Sequence, residues 1–249
     1  GAVAAPPPNN VPRFAFVANF NDNTVSSYTV NPTTGQLRHN GFVAAGSQPY
    51  SVAAHPSGKF VYVTNFGGTA LSGYAVGSDG RLASLFAPIG CGSCQPRGVT
   101  IDPSGRFLYI AYSNANIVSA YGINVDGTLS FIIDDSSVTN PFSVTIDPAG
   151  RFAYITSFNN ASVSAFAIQA NGSLSSVDTD AGTVGVQASI AAGGGTHAFT
   201  IDSTGRFAHA ANFNDNTVAA YTVNASTGAL TAVGAPVLVG GLNPRSVSV

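Results

Sequence analysis

Short runs of alternating hydrophobic and polar residues recur along the chain. The patterns PxSVxI, RFxYVxN and TVSxYxV are rich in Val, Ile, Phe and Tyr, and this alternation predicts β-strands. The DPSG sequence between the first and second of these patterns predicts a type I turn, because Pro fixes φ at the second turn position and Gly occupies the last one. A fourth, less regular strand follows a Gly-x-Leu turn, and no stretch has a convincing 3.6-residue period. These recurring patterns therefore predict groups of four strands and no helix.

These strands belong to an internal repeat. A GKF or GRF phrase stands at 58–60, 105–107, 150–152 and 205–207, and PRF at 12–14 matches its second half. The basic residues of successive phrases are 46, 47, 45 and 55 residues apart. The sequence therefore contains five related units.

The two ends of the chain contain complementary parts of one unit. NPRSVSV at 243–249 resembles a first strand, and VPRFAFVAN at 11–19 resembles a second strand. We therefore predict an all-β, five-bladed β-propeller of four-stranded antiparallel blades, in which 244–249 pairs with 13–19 and closes the ring. Residues 1–10, which are small and rich in Pro, are expected to form a flexible tail, and 11–249 a single domain.

Several phrases of the repeat are similar to a known family. YVTN at 62–65, VANFNDNTV at 17–25 and ANFNDNTVAAYTVNASTGAL at 211–230 resemble the YVTN repeats of the lactonase-like, 6-phosphogluconolactonase-like propellers. Members of that family include sugar-lactone hydrolases, muconate-cyclising enzymes and surface-layer or cell-surface proteins. Because the family's usual ring has seven blades, a five-bladed ring would lack residues contributed by two others. The resemblance thus implies a propeller, and no catalytic residue of the family is assigned here.

Composition and charge exclude several classes of protein. The chain is 45% hydrophobic and only 8% charged, which is not the composition of a disordered protein. Its 9 Lys and Arg residues are dispersed and cannot form the basic stripe that nucleic-acid binding requires. Polar residues or Gly interrupt every apolar run, so no membrane span is predicted. The low charge and the many Asn, Ser and Thr residues favour an exported protein (secreted, periplasmic or at the cell surface), and we expect a monomer.

One ring of positions differs from blade to blade and is therefore free to act on a ligand. Directly after the Pro that opens each first strand, or its equivalent, stand Tyr50, Arg97, Phe142, His197 and Arg245, which we call the mouth ring. The next residues are all small, as crowding near a central channel requires. Two Arg and a His at one mouth suit a carboxylate or phosphate, and the two aromatic rings suit a sugar or another flat ligand. The alternative is that these side chains are solvated or paired with nearby acids.

Other reactive side chains are given structural roles. Cys91 and Cys94 in CGSC form a local disulfide or two structural thiols, since a second CxxC motif and a thioredoxin-like context are absent. Asp22 and Asp215 lie in NFNDN turns without EF-hand spacing, so no metal or other cofactor is predicted. His209 replaces a repeated strand Tyr and is expected to be structural. The inserted segment 179–195 is the candidate lid over the mouth.

Three functions remain open from the sequence. The first is a binding or scaffold propeller for a small anionic or sugar-like ligand or for a protein partner, which the lack of an acid/base constellation favours. The second is a hydrolase or isomerase of a sugar lactone or cyclic carboxylate. There Arg97 and Arg245 would hold the anion and His197 would be the general base. The third is an engineered or recently duplicated propeller without an evolved ligand.

Overall fold

The computed structural model describes residues 13–177 and 189–249. The predicted tail at 1–10 lies outside them, as does most of the candidate lid at 179–195. Within the described residues all regular structure is β-strand, and the strands form five antiparallel sheets that follow one another along the chain. The predicted all-β architecture of antiparallel blades is therefore confirmed.

The sheets use the strands in sequence order. The first sheet contains β1 (Phe14–Asn19), β2 (Thr24–Val30) and β3 (Leu37–Ala44). The second contains β4 (Pro49–Ala54), β5 (Phe60–Asn65), β6 (Ala70–Val76), β7 (Leu82–Ser84) and β8 (Ile89–Gly90). The third contains β9 (Pro96–Ile101), β10 (Phe107–Tyr112), β11 (Ile117–Ile123) and β12 (Leu129–Asp135).

The last two sheets repeat this arrangement. The fourth contains β13 (Pro141–Ile146), β14 (Phe152–Ser157), β15 (Ser162–Ile168), β16 (Leu174–Ser176) and β17 (Ser189–Ala191). The fifth contains β18 (Thr196–Ile201), β19 (Phe207–Asn212), β20 (Thr217–Val223), β21 (Leu230–Ala232) and β22 (Val237–Leu238). The inner strands β4, β9, β13 and β18 lie in series beside one another, so the start of each faces a common axis.

The turn between the first two strands of a sheet is built by its Asp. The buried carboxylate of Asp147 accepts hydrogen bonds from the backbone N–H groups of Arg151 and Phe152, at 2.6 and 2.8 Å. Gly150 closes the turn with its N–H on the Asp147 carbonyl at 2.9 Å and has a φ of +70°, which favours Gly. The DPAG phrase therefore fixes the position at which β14 begins.

Neighbouring sheets are joined by a repeated contact, which we call the inter-sheet lock. In the first four sheets the Phe of the PRF, GKF or GRF phrase packs on the turn Gly of the following sheet, and a Cβ on Gly172 would lie only 2.5 Å from the ring of Phe107. Two residues later the hydroxyl of Tyr109 donates to the Gly172 carbonyl at 2.9 Å. The hydroxyls of Tyr62 and Tyr154 make the same bond to the next sheet. Four clusters of buried hydrophobic side chains lie between the five sheets, within the described residues.

The predicted closure of the ring is not confirmed. Residues 243–249 form no strand, and the first sheet contains only β1, β2 and β3. This terminal segment is held by the fifth sheet instead, because the N–H of Asn243 donates to Oδ1 of Asn216 at 2.6 Å. The Asn243 side-chain amide also donates to the Phe213 carbonyl at 3.0 Å.

Candidate functional site

The backbone at the start of each inner strand turns the mouth ring toward the axis. The residue two positions earlier has a left-handed φ in every unit: Gln48, Gln95, Asn140, Gly195 and Asn243 lie between +47° and +69°. The pairing register then shifts at the opening residues of β4, β9, β13 and β18, at the position of the mouth-ring side chain. A β-bulge re-aims a side chain in this way. The repeat therefore places each mouth-ring residue at the rim although its identity differs.

The mouth-ring residues on the inner strands are brought together. The ring centroids of Phe142 and His197 are 4.3 Å apart, and those of Tyr50 and Phe142 are 6.1 Å apart. The Tyr50 hydroxyl lies 3.4 Å from Nε2 of His197, although the two residues are 147 positions apart in sequence. These contacts join the second, fourth and fifth sheets across the channel mouth.

Arg97 completes the group from the third sheet. Its guanidinium carbon lies over three aromatic rings, at 4.0 Å from the centroid of Phe66, 4.7 Å from Phe142 and 5.0 Å from Tyr50. Each of these is a cation–π distance. The Arg97 Nε atom is buried and has no hydrogen-bond partner among the described residues. The rings thus hold a guanidinium whose hydrogen-bonding capacity is not fully used.

Arg245 reaches the same mouth from the terminal segment and perturbs His197. The pKa of His197 is lowered to about 4, chiefly by burial and also by the nearby charges of Arg245 and Arg97. A hydrogen bond to the Arg245 backbone opposes this shift and favours an imidazole that donates a proton there. His197 is therefore neutral at pH 7 and keeps a lone pair on its other nitrogen. The Arg245 guanidinium lies 5.4 Å from the Phe213 ring centroid.

The five mouth-ring residues line one open cavity of about 750 Å³. None of its described lining residues is an Asp or Glu, and neither Arg97 nor Arg245 has a carboxylate within 4.0 Å in the described part of the chain. The cavity also contains Asn and Gln side chains that can hydrogen-bond a polar ligand. Among the described residues, its charged groups are therefore two cations without a counter-ion, and the cavity is suited to an anion.

Sequence reasoning missed a second set of aromatic residues at this site. The loop after the second strand of four sheets places a Phe at the mouth: Phe20, Phe66, Phe158 and Phe213. Phe158 stacks on Phe142 at 5.3 Å, and Phe213 stacks on His197 at 5.9 Å. These residues stand in the NF and SF phrases of the repeat, and the two NFNDN segments among them were interpreted only as turns. Their recurrence in four units was the signal that could have revealed them.

The structure also shows the surroundings of residues that the sequence analysis expected to be structural. Cys91 and Cys94 form a disulfide in the linker that precedes β9. The carboxylate of Asp215 accepts a hydrogen bond from the Gly194 N–H at 2.6 Å, so it holds the segment that leads into β18. No group of three His, Cys, Asp or Glu residues able to hold a metal ion occurs in 13–177 or 189–249. No helix long and apolar enough to cross a membrane occurs in the same residues.

Comparison with known proteins identifies related folds. The sequence model described as "Lactonase, 7-bladed beta-propeller" matches residues 12–146 and 118–248. No curated protein matches the chain significantly. A candidate 6-phosphogluconolactonase of Bacteroides uniformis has a similar structure, with a TM-score of 0.78 and 20% identity over 93% of this chain and 69% of its own. The periplasmic gluconolactonase PpgL of Pseudomonas aeruginosa gives a TM-score of 0.76 and 23% identity over 94% of this chain and 71% of its own.

The same architecture occurs in proteins with other activities. Hydrazine synthase of Kuenenia stuttgartiensis matches with a TM-score of 0.68 and 19% identity, over 94% of this chain and 65% of its own. At such identities a structural likeness shows the fold alone, since one fold carries many chemistries. The side chains of the mouth are therefore the evidence on function that is specific to this chain.

Proposed function

The chain belongs to the lactonase, 7-bladed β-propeller family, and from this premise we propose that its mouth binds and hydrolyses a small anionic lactone. One observation carries the proposal. Two arginines without a counter-ion among the described residues, Arg97 and Arg245, converge with a neutral imidazole in one aromatic cavity. The names of two structurally similar proteins, a candidate 6-phosphogluconolactonase and a gluconolactonase, support a lactone as the substrate.

The arginines supply binding and charge stabilisation. A planar guanidinium presents paired N–H donors that match a carboxylate or phosphate, and the Arg97 guanidinium carbon lies 4.0 and 4.7 Å from the ring centroids of Phe66 and Phe142. In hydrolysis, negative charge develops on the carbonyl oxygen of the lactone as water adds to the carbonyl carbon. A fixed cation at that oxygen lowers the barrier, because it need not reorganise during the reaction.

His197 is the group that can accept a proton in this mouth. It removes a proton from the attacking water while the new carbon–oxygen bond forms, and returns it to the ring oxygen when the ester bond breaks. The product is an open hydroxy acid, which releases one proton at neutral pH. Its low pKa keeps His197 unprotonated but makes it a weak base. An anion bound between Arg97 and Arg245 would offset the positive charges of the two arginines and raise the pKa of His197 toward neutral pH.

The low pKa of His197 also favours a second candidate, a binding module without turnover. A base with a pKa of about 4 transfers protons poorly at neutral pH, whereas the arginines and the aromatic rings bind an anion without it. In this alternative the mouth retains a small anionic or sugar-like ligand. The disulfide between Cys91 and Cys94 supports an oxidising location outside the cytoplasm for either function.

The test is proton release from gluconolactone and from its 6-phosphorylated form, measured against the uncatalysed rate. We expect faster turnover of the phosphorylated lactone by the wild type. His197→Ala should remove turnover and leave binding of the product acid, while Arg97→Ala should weaken both. His39→Ala and Arg106→Ala are matched controls, because both side chains are exposed and lie outside the mouth. Binding without turnover by the wild type would establish the binding module, and neither binding nor turnover would reject both functions.

A further inference from the structure

A second cavity, which we call the outer pocket, lies between the outer strands of the first two sheets. It has a volume of about 450 Å³ and is open to solvent. Residues of β2 and β3 line it from the first sheet, and Arg81 and Leu82 at the start of β7 line it from the second. It shares no described lining residue with the mouth. Its volume is within the range of small-molecule sites.

In the second sheet an aromatic ring fills the corresponding place. Phe86 follows β7, and its ring covers Gly73 of β6 so closely that a Cβ on that glycine would overlap it. The ring also stacks on Tyr62 of the same sheet, with the centroids 6.5 Å apart and an interplanar angle of 30°. Phe86 packs against the hydrophobic cluster between the second and third sheets. The outer end of that junction is therefore closed by a side chain of the protein itself.

The first sheet lacks this ring. Ser27 of β2 stands in the place of Gly73, because each directly precedes the Tyr of its strand. Gly41 of β3 stands in the place of Phe86, because each lies two residues after the residue that pairs with that Tyr. Both Ser27 and Gly41 line the outer pocket. The pocket therefore occupies the position of a missing aromatic ring.

The wall of the outer pocket combines an apolar interior with polar groups. Val25 and Leu82 are buried and belong to the hydrophobic cluster between the first two sheets. Asn40 stands where the second sheet has Leu85, since each packs on the turn Gly of the following sheet. The Asn40 Nδ2 atom is buried and has no hydrogen-bond partner among the described residues. The described residues thus leave a donor in this wall unused.

Arg81 gives the outer pocket its charge. Its Nε lies 3.6 Å from a carboxylate oxygen of Asp79, and both side chains are exposed. Such a surface pair contributes little to stability, so Arg81 can turn to another anion at small cost. None of the described lining residues of this pocket is an Asp or Glu. Phe42, which is 69% exposed, adds an aromatic side chain to the lining.

We propose that the outer pocket binds a small aromatic carboxylate, whose ring takes the place that Phe86 fills in the second sheet. The ring lies against Val25 and Ser27, and the carboxylate faces Arg81. A guanidinium matches a carboxylate because it presents two parallel N–H donors. The apolar wall supplies the contacts that an aromatic ring makes at the next junction of the same protein. This site is separate from the mouth and does not depend on the proposed hydrolysis.

The test uses benzoate as the probe and methyl NMR of the whole chain as the readout. The methyl resonances of Val25, Val43 and Leu82 report on the outer pocket, which these residues line. We expect benzoate to shift them in a saturable way in the wild type. The same shifts should persist in Arg97→Ala, because Arg97 lies in the mouth and not in the outer pocket. Benzyl alcohol, which has a similar ring without a charge, should bind more weakly.

Two substitutions in the outer pocket test its charge and its space. Arg81→Gln should weaken benzoate binding about 10-fold or more, because a charge-assisted hydrogen bond is lost. Arg106→Gln, at an exposed guanidinium outside both cavities, is the matched control. Ser27→Leu should fill the pocket and abolish the shifts. The pocket is filled from Ser27 because Gly41 has a φ of +119°, which disfavours a side chain there.

The outcomes decide between the proposed ligand and the alternatives. Equal affinities for benzoate and benzyl alcohol, or benzoate binding that is unchanged in Arg81→Gln or in Ser27→Leu, overturns the proposal. Shifts that are absent from the wild type or lost in Arg97→Ala also overturn it, and the latter would place benzoate in the mouth. Glucose that shifts the same methyl groups at lower concentration than benzoate would show a saccharide site instead. If Ser27→Leu does not fold, Arg81→Gln still decides, since its side chain is exposed.

Discussion

Replacing Arg97 by Lys tests the anion-binding geometry of the mouth. Both side chains are cationic, but only the guanidinium offers two parallel donors, so Arg97→Lys should remove one charge-assisted hydrogen bond to a carboxylate or phosphate. Such a bond contributes about 1.5–3 kcal/mol, which corresponds to a loss of about 10- to 150-fold in affinity. The ammonium still lies among Phe66, Tyr50 and Phe142, so most of the cation–π attraction and the fold should remain.

The assay compares a phosphorylated and a neutral lactone by proton release, with product-acid binding measured by calorimetry. We expect Arg97→Lys to weaken turnover and binding only for the phosphorylated compound. Turnover of the neutral lactone and the Tm of the protein should change little. Arg106→Lys is the control, since that exposed guanidinium lies over one ring, Phe107, outside the mouth. Equal losses for the charged and the neutral lactone, or a fall in Tm that accounts for the lost activity, would refute the assignment of Arg97 as the anion-binding group.

Two further predictions concern the inter-sheet lock and His197. Tyr109→Phe removes the 2.9 Å hydrogen bond to Gly172 and leaves a buried carbonyl unpaired. Urea denaturation should therefore show a free energy of unfolding that is lower by about 1–3 kcal/mol. Tyr28→Phe is the control, because the Tyr28 hydroxyl makes no hydrogen bond within the described residues, and it should lower the free energy of unfolding much less. Equal losses in the two variants would contradict the role of the inter-sheet lock. Because the pKa of His197 is lowered from 6.5 to about 4, the unfolded state binds the proton first as pH falls. The free energy of unfolding should therefore decrease from pH 6.5 to 4, and His197→Gln should reduce that slope while His39→Gln keeps it.

Comparison of the repeats predicted where the variable side chains lie. Tyr50, Phe142 and His197 were aligned only by their distance from a turn, and the structure places the Phe142 ring 6.1 Å from the ring of Tyr50 and 4.3 Å from that of His197. Such an alignment works because each unit has the same turns and the same register shift. It did not predict that Phe66 would cover Arg97, since Phe66 belongs to a different sheet from Arg97 and the sequence does not state how neighbouring sheets are rotated.

The strands, the turns and the repeat could be predicted from the sequence alone. Local chemistry is sufficient for these features: alternation selects β-strands, the Asp and Gly of each turn fix where the next strand begins, and repetition makes the units equivalent. The packing of the units against one another and the chemistry of the mouth depend on the folded arrangement. The low pKa of His197 arises from burial and from two arginines in other segments, and the outer pocket is visible only once the first two sheets are packed together. Both depend on distances between residues far apart in sequence, which a local pattern does not specify.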